Sequence, residues 1–153
     1  MGRLNDQTVC CVFRVNITND GKYHSTLVNL YVLGRQSQTK TFYQQAIDLK
    51  KIIKAFNPRE VVVDTNGLGI GFADELIREQ QDEFGKVYEP LGFHNDEDFL
   101  KIQPKDAPRI LYGIKASGTL NSKIHGNAYS RLNGGLVRFL IKEQEAKNAL
   151  LST

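Results

Sequence analysis

Cysteine, paired metal-binding residues and long apolar runs are scarce in this chain, and each shortage removes a class of protein. The two cysteines are neighbours, Cys10 and Cys11. Adjacent residues of a strand point to opposite faces, so they are poorly placed to bridge one another. No disulfide framework and no Cys-x-x-Cys metal site can be built, and an intracellular, reducing compartment is the expectation. The three histidines, His24, His94 and His125, lie too far apart for a zinc signature. No apolar run approaches the ~20 residues of a membrane span, and Met1-Gly2-Arg3-Leu4-Asn5-Asp6 lacks a signal core. Nor is there a Gly-Lys-Ser/Thr, which excludes an ATP-binding P-loop. An excess of charge of one sign is also nearly absent. Lys and Arg number 20 against 17 Asp and Glu, a formal +3, which suits nucleic acid without marking it strongly.

What is present is ordinary globular material, 41% hydrophobic and 24% charged over 153 residues. One domain of that length buries roughly 68–70% of its unfolded surface. From Thr8 to Ile17 apolar residues alternate at Val9, Cys11, Phe13, Val15 and Ile17, while Arg14 and Asn16 point to a partly wet opposite face. Asn19-Asp20-Gly21 is a turn, and Thr26–Leu33 is a second strand, which together predict an antiparallel hairpin. Thr41-Phe42-Tyr43-Gln44 matches a capping box, and Phe42, Ala46, Leu49, Ile53 and Phe56 then recur on one helical face. Asn57-Pro58 ends that helix, which leads into the next strand as a crossover onto a neighbouring parallel strand does.

The chain is organised around that strand and the glycine-rich turn after it, Glu60-Val61-Val62-Val63-Asp64-Thr65-Asn66-Gly67-Leu68-Gly69-Ile70-Gly71. Three β-branched residues in a row read as a strand covered on both faces. The run ends in a carboxylate and three glycines spaced two apart, then starts a helix predicted from about Gly71 to Phe84, with Ala73, Leu76, Ile77 and Gln80 inward and Gly85 as its C-terminal cap. In open α/β sheets ligands bind at the carboxyl ends of strands, which makes Asp64 the candidate site residue. Two readings stand side by side. Asp-Thr-Asn-Gly also forms turns, its side chain bonding backbone N–H groups two residues on. As a dinucleotide fingerprint the glycines fall short, because Phe72 stands where a third glycine is required.

Further along, Val87–Phe93 is a short strand interrupted by Pro90, and Asn95-Asp96-Glu97-Asp98 is a solvated acidic loop without the calcium-loop pattern. Pro104 and Pro108 keep 102–109 irregular, and Ile110–Lys115 is a strand. A helix over Leu120–Leu132 ends at Gly134-Gly135, Leu136–Leu140 is a strand, and Glu143–Leu151 is helical. The order β-β-α-β-α-β with mixed elements after it predicts an α/β fold with antiparallel and parallel strands.

That order resembles a ribonuclease H-like fold: an antiparallel hairpin, a helix, a central acid-bearing strand and flanking helices. The run Val62-Val63-Asp64-Thr65-Asn66-Gly67-Leu68-Gly69-Ile70-Gly71 with Asp74-Glu75-Leu76 is similar to the nuclease domain of tailed-phage terminase large subunits. So are Ile110-Leu111-Tyr112-Gly113-Ile114-Lys115-Ala116 and the stretch from Leu120-Asn121-Ser122 to Gly135-Leu136-Val137-Arg138-Phe139-Leu140-Ile141-Lys142-Glu143. The resemblance implies a metal-dependent DNA endonuclease of genome packaging, acting in the cytoplasm of a bacterial host. It implies a carboxylate cluster holding two Mg²⁺ or Mn²⁺ ions, with Asp64 as the family's second acid and both metal ligand and catalytic residue. Two such ions ~3.5–4 Å apart clamp the attacking and leaving oxygens of an in-line displacement.

The implied partners are double-stranded DNA and other terminase segments or the portal, with no membrane. The family's first acid falls upstream of Asn5-Asp6 and its last beyond Thr153, so the chain is expected to be one partial nuclease domain, truncated at both ends. The edge that the missing first strand would pair is then expected to be exposed. Lys115, Lys123, Arg131, Arg138 and Lys142 are candidates to track a DNA backbone, the alternative being surface charges balanced by Glu143 and Glu145. Two further readings compete: an inactive DNA-binding or packaging-assembly module, and a nucleotide-binding α/β protein using the glycine turn.

Overall fold

The computed structural model describes residues 8–33 and 40–140, and the predicted Glu143–Leu151 helix, Lys142 and Asp6 lie outside them. The chain divides into two compact units, one of residues 40–117 and one formed by the segments on either side of it.

The flanking unit is a three-stranded sheet in which strand 9–17 (β1) is followed by 23–32 (β2) and then 137–139 (β7), with helix α4 (Gly118–Asn133) preceding the last of them in the chain. β1 (Val9–Ile17) and β2 (Tyr23–Val32) form the antiparallel hairpin, Val9 opposite Val32 and Ile17 opposite Tyr23, with a bulge between Val12 and Phe13. Its turn works as the residues predict. Gly21 sits at φ 75°, and the Asp20 carboxylate accepts from the Lys22 N–H at 3.2 Å. β7 (Val137–Phe139) pairs in parallel with β2, Ser25 opposite Val137 and Leu27 opposite Phe139, which makes the sheet mixed.

One expectation is corrected here. The alternating apolar residues of β1 do not form a buried face, since Val9, Phe13, Val15 and Ile17 are all about half or more exposed. Period-two alternation reports which residues share a face; it cannot report whether anything covers it.

The 40–117 unit carries the core. α1 (Phe42–Phe56) begins at the capping box, with the Gln44 N–H on the Thr41 hydroxyl and the Thr41 N–H on the Gln44 side chain. It ends at Asn57, which adopts a left-handed φ of 46° and donates to the Ile53 carbonyl. β3 (Val61–Asp64) comes next, then α2 (Leu68–Leu76), which packs on α1 through Phe42 and Phe72 at 6.4 Å. Among the described residues the ladder partner of β3 is β6 (Leu111–Ile114), paired in parallel with Asp64 opposite Ile114. So the strand lies beside a parallel neighbour as expected, but that neighbour comes later in the chain.

α2 also ends eight residues sooner than its apolar spacing suggests. Gln80–Gln81 (β4) and Val87–Tyr88 (β5) form a small antiparallel hairpin, and Gly85 serves its turn at φ 79° instead of capping a helix. Gln80 is buried as predicted, but as a strand residue, its amide hydrogen-bonded to the Glu75 carbonyl and to Lys50. The acidic run is not a loop: Asp96 caps α3 (Glu97–Ile102). Phe93, Leu76 and Leu111 close the core, with Phe93 stacked on Phe99 at 4.5 Å.

Candidate functional site at the carboxyl ends of β3 and β6

Asp64 is the last residue of β3, and its carboxylate is exposed. One oxygen accepts the Asn66 N–H at 2.9 Å, so the turn-forming role foreseen for it is real. The rest of the turn is tied to the neighbouring strand. The buried Thr65 donates its N–H to the Ile114 carbonyl at 2.9 Å and its hydroxyl to the same oxygen at 3.2 Å. The Asn66 amide donates to the Ala116 carbonyl at 2.7 Å. A carboxylate on such a braced strand end is fixed in position more firmly than one on a loop.

The glycines are explained by packing. Gly67 lies at φ 53°, which other residues seldom adopt. A Cβ on Gly69 would collide with the Asp64 carbonyl, and one on Gly71 would meet the Phe42 ring at 3.0 Å. They let α2 start against the end of β3, a close backbone approach that accounts for the motif without a bound phosphate.

On the β6 side a polar cluster appears that sequence reasoning reads only as charge. Asn95 grips Gly113 of β6 at both backbone groups, donating to its carbonyl and accepting its N–H, each at 2.8 Å. Asp96, itself buried, accepts the N–H groups of Asp98 at 3.1 Å and Phe99 at 3.4 Å and pairs with Lys115 at 3.2 Å. Lys115 also reaches Asp98 at 3.5 Å. Burial works against the charge of Asp96, but the Lys115 bond and the two backbone N–H groups outweigh it and hold its carboxyl below the ordinary value. Lys115 is correspondingly raised, chiefly by its hydrogen bond to Asp96. These groups line a depression of about 340 Å³. The signal that could have found them is the N-cap pattern, Asp96 with Glu97 and Asp98 in the first turn behind it.

Of the predicted DNA contacts, Lys115 is therefore engaged by two carboxylates. Arg131 is engaged as well, donating from α4 to the Tyr23 carbonyl at 2.8 Å and the Ser25 hydroxyl at 3.3 Å. Lys123 on α4 and Arg138 on β7 are exposed. Asp64 and Lys115 belong to the 40–117 unit, and Lys123, Arg131 and Arg138 to the other.

Whether the residues present fit a divalent metal can be tested on their donor set. Hard cations such as Mg²⁺ need several oxygen ligands. Among the described residues, no three His, Cys, Asp or Glu side chains gather so as to hold a metal ion. Asp64 alone does not make a site. Nor is any helix among the described residues long and apolar enough to cross a membrane.

A family model described as a terminase RNaseH-like domain matches residues 1–98, a span that includes Asp64 and the glycine turn. No curated protein and no solved structure matches the chain.

Proposed function

The chain belongs to the terminase RNaseH-like domain family, and on that premise we propose that it supplies the DNA-cutting part of a phage packaging enzyme, with Asp64 as an acid of its active site. The observation that carries this reading is the placement of Asp64. It is an exposed carboxylate at the carboxyl end of a strand paired in parallel, with its turn pinned to β6 by Thr65 and to Ala116 just beyond β6 by Asn66.

Terminase RNaseH-like domains are generally metal-dependent, and Mg²⁺ or Mn²⁺ would there stabilise charge on the cleaved phosphodiester. In this reading Asp64 contributes one oxygen donor, and a complete site needs further donors from outside the described residues. The Asn66 N–H occupies one carboxylate oxygen and sets the orientation of the other. Duplex DNA is the proposed substrate, other components of the packaging complex are the proposed protein partners, and the host cytoplasm is the place of action.

The test is plasmid cleavage with Mn²⁺ by the chain and its Asp64→Asn variant in parallel. The amide keeps a carbonyl oxygen for Asn66, so the fold is retained, and cleavage is expected to fall by at least about 100-fold, the scale on which electrostatic groups act on such reactions. Equal cleavage by both proteins would overturn the assignment. DNA binding without cleavage by either would turn the reading to an assembly module.

A further inference from the structure

We propose that the depression between α1 and the β4–β5 hairpin is a phosphate seat, through which the 40–117 unit holds a DNA backbone. Its volume is about 250 Å³, below the 300–1,000 Å³ range of pockets that enclose whole ligands, so it suits a group projecting from a longer molecule. Lys50 and Lys54 of α1 and Lys86 of the hairpin line it over an apolar floor that includes Ile53 and Leu91.

The hairpin is held on α1 by the Tyr43 hydroxyl, which donates to the Gln81 carbonyl at 2.9 Å and accepts its N–H at 2.7 Å. The buried Tyr88 ring then gathers two cations, with the ammonium of Lys51 5.8 Å and that of Lys86 5.4 Å from its centroid.

The charges of this region separate into two sets. Lys50 is buried and already satisfied, donating to the Arg78 carbonyl at 2.7 Å and the Gln80 side chain at 2.5 Å, with the charges of Glu75, Glu89 and Glu79 acting in its favour. Lys51, Lys54 and Lys86 are exposed, and none of them makes an ion pair among the described residues, unlike Lys22, Lys40, Lys101 and Lys115. Of these, Lys54 and Lys86 line the hollow and Lys51 reaches the Tyr88 ring that also lines it, and ammonium groups so gathered repel one another until an anion joins them. Among the described residues Glu89 is the one carboxylate that lines the hollow, and Asp82 accepts the Tyr88 hydroxyl at 3.0 Å and lies within reach of the Lys51 charge. Lysine binds phosphate as a point charge and needs no forked geometry, which suits a backbone contact that positions DNA without reading its sequence.

This inference rests on reading the chain as a protein that acts on DNA. Its test is a binding measurement, so that it can fail while the Asp64 assignment stands. The probe is a fluorescent 20-base-pair duplex, titrated with the full chain across a range of salt concentrations.

In the Lys51→Gln/Lys54→Gln/Lys86→Gln variant, which removes the charges and keeps a polar side chain at each position, the low-salt affinity should fall at least about tenfold, and the log–log salt slope should drop by about 1 or more. Glu89→Gln should tighten binding. The proposal is overturned by affinities within twofold of the parent, or by an equal loss in a control variant with Lys22, Lys101 and Lys105 changed to Gln. It is equally overturned if inorganic phosphate or polyglutamate shifts the amide resonances around Lys86 and Tyr88 while the duplex leaves them unmoved.

Discussion

The two units differ in make-up, helix prevailing in one and strand in the other, and they bury their elements very differently. In residues 40–117, Ala46, Ala73, Leu76, Phe93 and Leu111 are sealed from solvent. In the flanking unit no described residue of α4 is buried, and β1 leaves Val15 56% and Ile17 66% exposed. Secondary structure in the first unit is a consequence of packing. In the second it rests more on ladder hydrogen bonds, such as the nine-residue register of β1 on β2, and on single ties such as Arg131. Hydrogen bonds contribute about 1 kcal/mol each, whereas a buried Leu or Phe contributes about 1.5–3, so stability is concentrated in the 40–117 unit.

The sharpest way to break this contrast is paired substitution. Phe93→Ala removes a fully buried ring stacked on Phe99 and should cost about 3–5 kcal/mol in urea unfolding. Val15→Thr on the exposed face of β1 should stay within about 0.5 kcal/mol. Comparable costs would show that β1 is covered after all.

A smaller effect is expected at the β6 cluster. Asp96→Ala removes the α3 cap and the partner of Lys115, and should cost about 1–2 kcal/mol. No measurable loss would mean that the cluster contributes nothing to the unit it closes.

An effect of pH is expected at Lys50. Desolvation lowers its pKa from 10.5 to about 8, against the pull of Glu75, Glu89 and Glu79. Between about pH 8 and 10.5 the unfolded chain therefore binds more protons at this site than the folded one, and its contribution to stability rises with pH across that window. Melting at pH 7.5 and 9.5 should show this rise in the parent and its loss in Lys50→Met. The same pH response in both proteins would remove Lys50 as its source.

Much of the fold was readable where the determining chemistry is local. Asp20-Gly21 gave the hairpin turn, Thr41 with Gln44 gave the start of α1, and the Val61–Asp64 run gave a strand ending in an acid. Where partners come from afar, reading failed. Ala73, Leu76, Ile77 and Gln80 keep helical spacing, yet Gln80 is claimed by Lys50, thirty positions earlier, and the chain turns into a hairpin. The link between Asp96 and Lys115 could not be seen in a run of like charges, because its other half lies beyond α3. At the candidate site the acid and its turn were legible. The bracing by Thr65 and Asn66 was not, since it depends on which strand lies next to β3.

The discontinuity of the flanking unit bears on how the protein comes into being on the ribosome. β7 must reach β2 across the whole of residues 40–117, and the Arg131 bonds to Tyr23 and Ser25 close separations of 108 and 106 positions. Contacts so distant in sequence form slowly, whereas the intervening segment has its core within its own bounds. During synthesis that segment can reach its native packing while the β1–β2 hairpin still waits for its third strand. Until then β2 has an open edge, and the nascent hairpin offers a template on which another strand can pair wrongly.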